Sequence, residues 1–115
     1  MKRAEELADQ AVRRGREQRE QLVLADALRV QGMVLIRLGR HEEARQVLEE
    51  GLALAQGMPY PYAEARSLFQ LGMMHVQQRE AHQARSWLQE ALAIFRRLGA
   101  RVEIERTEAL LATLS

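Results

Sequence analysis

Apolar residues in this chain recur at helical spacing, and the pattern returns after forty positions. Residues 24–55 and 64–95 share ten identical pairs when the chain is shifted by forty residues. Six of these pairs are Ala25/Ala65, Leu28/Leu68, Gly32/Gly72, Met33/Met73, Ala44/Ala84 and Leu48/Leu88. Self-similarity at one fixed period is the mark of a repeat architecture. Spacings of three and four residues between apolar positions favour helices, so the chain is predicted to be all-α.

The apolar pattern and the breaking residues predict about six helices. Their ranges are 2–14, 22–38, 42–56, 62–78, 82–98 and 102–114. Gly39, the Gly57–Pro61 segment and Gly99 separate the later helices, because glycine and proline end helices. The predicted architecture is therefore a single domain, an antiparallel helix-hairpin solenoid. It has a half repeat at 1–21, full repeats at 22–61 and 62–101, and a half repeat or capping helix at 102–115.

The segment 16–21 leaves two interpretations open. In the forty-residue frame it corresponds to the turn at 56–61, and Gly15 is a plausible helix end. Ala4, Leu7, Ala8, Ala11 and Val12 then form the packed face of a first short helix. The segment itself, however, contains only Arg, Glu and Gln, which are good helix formers. A single helix over 2–38 is the alternative, and it would favour an exchanged dimer.

Composition excludes several classes of protein. Of the 115 residues, 47% are hydrophobic and 29% are charged, which indicates a globular chain. The net charge of +1 produces no strong field for nucleic acid or an anionic membrane, so neither is expected as a partner. Cysteine is absent, which excludes disulfides and thiolate chemistry. Because no apolar run approaches the ~18 residues of a membrane span, a cytoplasmic location is expected.

Catalytic chemistry has no support in the residue pattern. His41, His75 and His82 are the three histidines, and no two of them have the spacing of a metal-binding pair on one helix. The seven glycines are dispersed and form no phosphate-binding loop. We therefore predict no enzyme activity, no catalytic residue, no metal site and no cofactor.

The residues at the repeat positions resemble a known pattern. The tetratricopeptide repeat (TPR) has the form W-x2-L-G-x2-Y, then A-x3-F, then P. Here the repeat-packing positions are occupied by Gly32, Ala44 and Leu48 in one copy and by Gly72, Ala84 and Leu88 in the next. The resemblance implies a right-handed superhelix in which the small residues face each other where two helices cross.

Two departures from the family pattern are visible. The period is forty residues instead of 34, and the final proline is replaced by Gln56 and Arg96. Long-period repeats of this kind are similar to the helical arrays of bacterial signalling ATPases and transcriptional regulators. That similarity concerns the fold and does not by itself assign a function.

The resemblance also implies where a partner would bind. In this family the first helix of each hairpin lines a concave groove that binds peptides or partner helices. The corresponding positions are Asp26, Arg29, Met33, Ile36, Arg37, Arg66, Phe69, Met73, Val76 and Gln77, with Arg106, Ala109 and Thr113 from the last helix. They form an expected apolar floor of Met33, Phe69 and Met73. The expected basic border consists of Arg29, Arg37 and Arg66. Such a surface suits an amphipathic or acidic-apolar segment.

The expected function is thus protein–protein interaction, within a regulatory or signalling assembly. Self-association is the main alternative, because each repeat buries its apolar face only against neighbours and this chain has half repeats at both ends. Sensing of a small ligand in the groove is a further alternative, since some signalling arrays of this kind do so.

Overall fold

The computed structural model describes residues 2–58 and 60–114, and for residues 2–5 it describes the backbone alone. Its described part forms five helices and no strand. The helices are α1 Lys2–Arg37, α2 His41–Gly57, α3 Pro61–Gln77, α4 Ala81–Leu98 and α5 Arg101–Ala112. Consecutive helices pack against each other as antiparallel neighbours, and α1 also contacts α3. The result is an elongated helical solenoid measuring 63 × 30 × 18 Å.

Left-handed residues end three of the helices. Gly39 and Gly99 have φ angles of 74° and 69°, which glycine adopts without steric cost. The backbone N–H of Gly99 donates to the carbonyl oxygens of Phe95 and Arg96, which would otherwise be unpaired at the end of α4. Arg79 makes the corresponding turn after α3 with a φ of 61°. The left-handed conformation of a non-glycine residue destabilises the folded chain by roughly 1–2 kcal/mol. The packing around Arg79 must offset this.

Two glycines allow the helices of each hairpin to approach closely. A Cβ atom at position 32 of α1 would lie 2.5 Å from Leu48 Cδ2 in α2, and one at position 72 of α3 would lie 2.6 Å from Leu88 Cδ2 in α4. Both leucines are fully buried. We predicted Ala44 and Ala84 as the facing residues. The nearest side chains are instead the leucines one turn further along, while both alanines are buried beside them. The small residue and the leucine therefore interlock at each crossing.

The predicted turn at 16–21 is wrong, and the continuous-helix alternative describes α1. Arg, Glu and Gln lose little side-chain freedom in a helix, and a single glycine at position 15 costs only about 1 kcal/mol. With no second breaker near Gly15, helix propagation continues through the segment. The first two predicted helices are one, so the described residues form five helices where we predicted about six.

The first half of α1 extends away from the packed body. Between Glu6 and Gln21 every residue is exposed except Gly15, which is half-buried. Leu7 and Val12 are 59% and 57% exposed, although we predicted that they form a packed face. The side chain of Ala4, which belongs to the same face, lies outside the described part. From residue 6 onward, the first buried residue of α1 is Ala25. The predicted helical periodicity is therefore present in this segment, but the described residues provide no packing partner for it.

We predict opposite effects for one substitution at two glycines. Gly72→Ala should lower the free energy of unfolding by about 1–3 kcal/mol, because the new Cβ overlaps the buried Leu88 side chain. Gly57→Ala is the matched control: no atom lies within 4 Å of the new Cβ, so stability should stay the same or rise by up to about 1 kcal/mol. Urea unfolding followed by circular dichroism measures both. Equal effects at the two positions would contradict the interlocking of position 72 with Leu88.

Candidate partner-binding groove

A continuous groove runs along α1 and α3 and consists of three adjoining clefts, two of which are also lined by α5. The cleft at one end, the Met73 cleft, has a volume of about 530 Å³. Its lining residues are Met33, Ile36, Arg37, Phe69, Gln70, Met73, Arg106, Ala109, Leu110 and Thr113. A smaller middle cleft shares Met33, Phe69, Gln70 and Arg106 with it. The third cleft, the Tyr60 cleft, shares Arg29, Tyr62 and Arg66 with the middle one and has a volume of about 520 Å³.

Tyr62 connects α3 to α5 at the middle of the groove. Its hydroxyl donates a 2.7 Å hydrogen bond to Glu103 Oε1, and its ring meets Phe95 edge-on at 6.2 Å between centroids. The guanidinium of Arg66 lies 5.4 Å from the centroid of the Tyr62 ring, within the range of a cation–π contact. These contacts hold the start of α5 against α3 and so fix the width of the groove.

The hydrogen bond between Tyr62 and Glu103 changes the pKa values of both groups. It lowers the pKa of the Glu103 carboxyl, because it stabilises the carboxylate, and Arg106 and Arg66 add to the effect. The same bond, followed by burial, raises the pKa of the Tyr62 hydroxyl. The bond therefore stabilises the fold fully above the ordinary carboxyl pKa and below the ordinary tyrosine pKa. Its contribution is lost as pH falls through the lowered pKa of Glu103 or rises through the raised pKa of Tyr62.

Arg29 already has partners within the chain. It forms a salt bridge to Asp26 at 2.8 Å, and its Nη1 lies 3.1 Å from the sulfur of Met33. Its side chain is only 11% exposed. Arg66 lies 3.8 Å from the same carboxylate of Asp26. The two arginines are therefore part of the groove wall. The carboxylate of Asp26 balances the charge of Arg29, and Arg66 lies at the edge of the same pair.

The structure brings most of the predicted site residues into this groove. The Met73 cleft contains Met33, Ile36, Arg37, Phe69 and Met73 from the predicted set, together with Arg106, Ala109 and Thr113. Asp26, Arg29 and Arg66 lie in the Tyr60 cleft. Val76 and Gln77 line none of the three clefts. The Gln77 side chain instead hydrogen-bonds His41 Nε2 at 2.9 Å and links α3 to the start of α2.

Several groove residues were not anticipated from the sequence. They are Tyr62, Gln70, Glu103, Thr107 and Leu110. Tyr62 and Glu103 are 41 positions apart, so their hydrogen bond has no local signature. A forty-residue comparison does offer a signal for Thr107, because it aligns with Ser67, and both residues are buried small hydroxyl residues.

Comparison with known families agrees with this geometry. Two models of the tetratricopeptide repeat family match the chain, one at residues 25–57 and the other at residues 65–98. The two matches together cover more than half of the chain. The chain is a tetratricopeptide repeat protein. A search of curated proteins found no match.

The two TPR matches begin at Ala25 and Ala65, forty positions apart. Each match includes one of the glycine–leucine crossings, Gly32 with Leu48 or Gly72 with Leu88. TPR proteins are non-catalytic scaffolds that generally mediate protein–protein interaction or assembly. In the part of the chain that the structure describes, no helix is long and apolar enough to cross a membrane.

The pKa of Tyr62 offers a direct test of the groove geometry. In a Tyr60→Phe background Tyr62 is the remaining tyrosine. Spectrophotometric titration should give it a pKa above the ordinary value of 10.0, because of the bond to Glu103. Adding Glu103→Gln should bring this pKa back toward 10.0, since the carboxylate charge is removed. The exposed residue Glu105 on the same helix provides the control, and Glu105→Gln should leave the titration unchanged. An unaltered titration in Glu103→Gln would refute the contact between α3 and α5.

Proposed function

We propose that this TPR protein binds an amphipathic, acidic peptide or helix of a partner protein in the groove between α1, α3 and α5. The observation that supports the proposal is the composition of the Met73 cleft. Met33, Phe69 and Met73 come together there from two helices, next to the exposed arginines Arg37 and Arg106. An apolar surface beside exposed positive charges suits a segment with apolar residues on one face and carboxylates at its margin.

The floor of the Met73 cleft is available for contact. Met33, Phe69 and Met73 are each half-buried, whereas Leu68 and Leu71 on the same helix α3 are buried in the core. Methionine has flexible, polarisable side chains that adapt to different apolar partners. The cleft therefore favours a helix whose apolar side chains recur at three- and four-residue spacing.

Of the arginines that we predicted at the groove, Arg37 and Arg106 supply the charge at the margin of the Met73 cleft, and Arg29 does not. Arg29 is mostly buried and paired with Asp26, so it adds little attraction for a ligand. Arg37 and Arg106 form no salt bridge among the described residues, and both are exposed. Arginine pairs well with carboxylates because its planar guanidinium can donate two parallel hydrogen bonds. The acidic residues of the partner would therefore lie at the Met73 end of the groove.

The wider role that we propose is that of a cytoplasmic module in a regulatory or signalling assembly. It rests on the forty-residue period, which is similar to that of arrays in bacterial signalling proteins. In such assemblies a groove-binding module brings its partner close to another component and performs no chemistry itself.

A small-ligand site is a second candidate, supported by the Tyr60 cleft. Its volume of about 520 Å³ is within the range of small-molecule sites. Leu22, Leu98 and the two tyrosines give it apolar walls, while Asp26, Arg29 and Arg66 provide polar groups. A compound that binds there would raise the melting temperature, so a thermal-shift screen distinguishes this role.

Substitutions at the Met73 cleft test the proposed peptide site. The probe is a synthetic fluorescent helix with leucines at i, i+3, i+4 and i+7 and glutamates at most other positions. Arg37→Glu should weaken its binding by about tenfold, since an attraction becomes a repulsion, which corresponds to about 1.4 kcal/mol. Met73→Ala should weaken it by a similar factor through lost apolar contact. Fluorescence anisotropy measures the dissociation constants.

The matched control for this experiment is Arg97→Glu, the same charge change at an exposed position of α4 outside the groove. It should leave the affinity near that of the unmodified protein. A second peptide, with lysine in place of glutamate, should bind more weakly than the first. Equal binding by the unmodified protein, Arg37→Glu and Met73→Ala would rule out the Met73 cleft as the site.

A further inference from the structure

Helix α1 carries two exposed apolar stripes that nothing in the described structure covers. The first stripe, in the projecting half, contains the small residues Ala8, Ala11 and Gly15, with Leu7 and Val12 at its margins. The second stripe lies in the other half and contains Val23, Ala27, Val30 and Val34. The three valines are 65%, 45% and 51% exposed. Neighbouring exposed apolar residues along one helix face are typical of a contact surface.

The positions forty residues after the two stripes lie on α2 and α3, and these two helices pack against each other within the chain. The buried face of α2 includes Leu48, Gly51 and Ala55, which correspond to Ala8, Ala11 and Gly15. This face packs against both α1 and α3: a Cβ at position 51 would lie 3.3 Å from Ala25 O and Leu28 Cβ in α1, and 3.9 Å from Ser67 Oγ in α3. The pair across α2 and α3 is therefore Gly51 and Ser67. Forty positions earlier, this pair becomes Ala11 and Ala27. The first stripe of α1 thus has the pattern of α2, and the second stripe has the position of the α3 face that receives it.

The antiparallel register of α2 and α3 gives the remaining pairs. Moving from Ala11 and Ala27 in opposite directions along α1 brings Ala8 opposite Val30 and Gly15 opposite Val23. A small residue on one stripe therefore faces a valine or an alanine on the other. This alternation lets two helices pack closely without a void.

Position 15 gives independent support for this register. Glycine weakens a helix interior relative to alanine. Nothing lies within 4 Å of where a Cβ of Gly15 would be, so packing within one chain gives no reason for a glycine. Opposite Val23 of another helix, the absence of a side chain makes room for the valine.

We infer that two copies of this chain form a two-fold dimer in which residues 8–15 of each α1 pack on the Val23–Val34 stripe of the other. Within one copy the two stripes cannot meet, because α1 is continuous and Ala11 and Ala27 are about 24 Å apart along its axis. A second antiparallel copy covers both stripes at once, and the reciprocal contacts close the assembly at two chains.

The pairing also specifies a bend in α1. With 3.6 residues per turn, the two stripes lie about a quarter turn apart around the axis of a straight helix. Both can engage the other copy only if α1 bends between them. Gly15 and the exposed residues that follow it occupy this position, and a glycine is a common place for a helix to kink.

Cysteine pairs test the register, because the natural chain contains no cysteine. In the variant with Ala11→Cys and Ala27→Cys together, oxidation should give a covalent dimer of twice the 13.2 kDa chain mass on a non-reducing gel. Ala11→Cys alone and Ala27→Cys alone are the controls. Each should stay monomeric on the gel, since neither residue faces its own counterpart.

Light scattering on the unmodified chain supplies the companion measurement. We expect twice the chain mass over a wide concentration range, and Val30→Glu should reduce it to one chain with unchanged helical circular dichroism. Val102→Glu, at a 63% exposed position of α5, is the matched control and should remain dimeric. Peptide binding in the groove should be unaffected by Val30→Glu, so the two proposals can fail separately.

Four results would overturn the inference. A disulfide formed within one monomer would mean that the two stripes meet by folding back inside a single chain. A dimer in which the two introduced cysteines form no disulfide would place the interface elsewhere. The same conclusion would follow if Val102→Glu dissociated the dimer and Val30→Glu did not. A monomer at all concentrations would show that no second copy covers the two stripes.

Discussion

The close approach of paired helices at Gly32 and Gly72 is the constraint on which the solenoid depends. A side chain at either position would overlap a buried leucine, so the crossing distance within each hairpin is set by the absence of one atom. This distance also fixes how far α1 lies from α3. Helix α2 lies between them in sequence and packs against both. The concave surface is a consequence of that repeated spacing, since α1, α3 and α5 then lie on the same side.

The groove differs from the core in how much apolar surface stays exposed and in how many charged groups lack a salt bridge. In the core, Leu48, Leu71 and Leu88 are fully buried. In the groove, Met33, Phe69 and Met73 keep part of their apolar surface in water, and Arg37 and Arg106 lack salt bridges among the described residues. At the Tyr60 end, the charged and polar groups already have partners: Arg29 pairs with Asp26, and the Tyr62 hydroxyl donates to Glu103. The chemical capacity to bind a partner is therefore concentrated at the Met73 end.

The sequence predicts those features that depend on local pattern. The helices from α2 onward follow from periodicity and from Gly39, Gly57 and Gly99, and the hairpin repeat follows from the forty-residue identity. It does not decide whether α1 continues past Gly15, because helix propensity and the repeat frame favour opposite outcomes there. The pairing of Tyr62 with Glu103 and the burial of Arg29 depend on where α3 and α5 meet, which the spacing of residues along the chain does not encode.

Helix α1 shows how one element can serve several contacts without conflict. Around its axis, Ala25, Leu28 and Leu35 face the core, and Arg29, Met33 and Arg37 face the groove. Val23, Val30 and Val34 form a third face about a quarter turn from the residues that line the Met73 cleft, and Val23 also lines the Tyr60 cleft. Two chains joined through this third face would keep the Met73 cleft of each copy open. A partner with two binding segments could then engage both copies, and the second segment would bind at a high effective concentration. Association of the chain would in that case strengthen partner binding without any change in the groove itself.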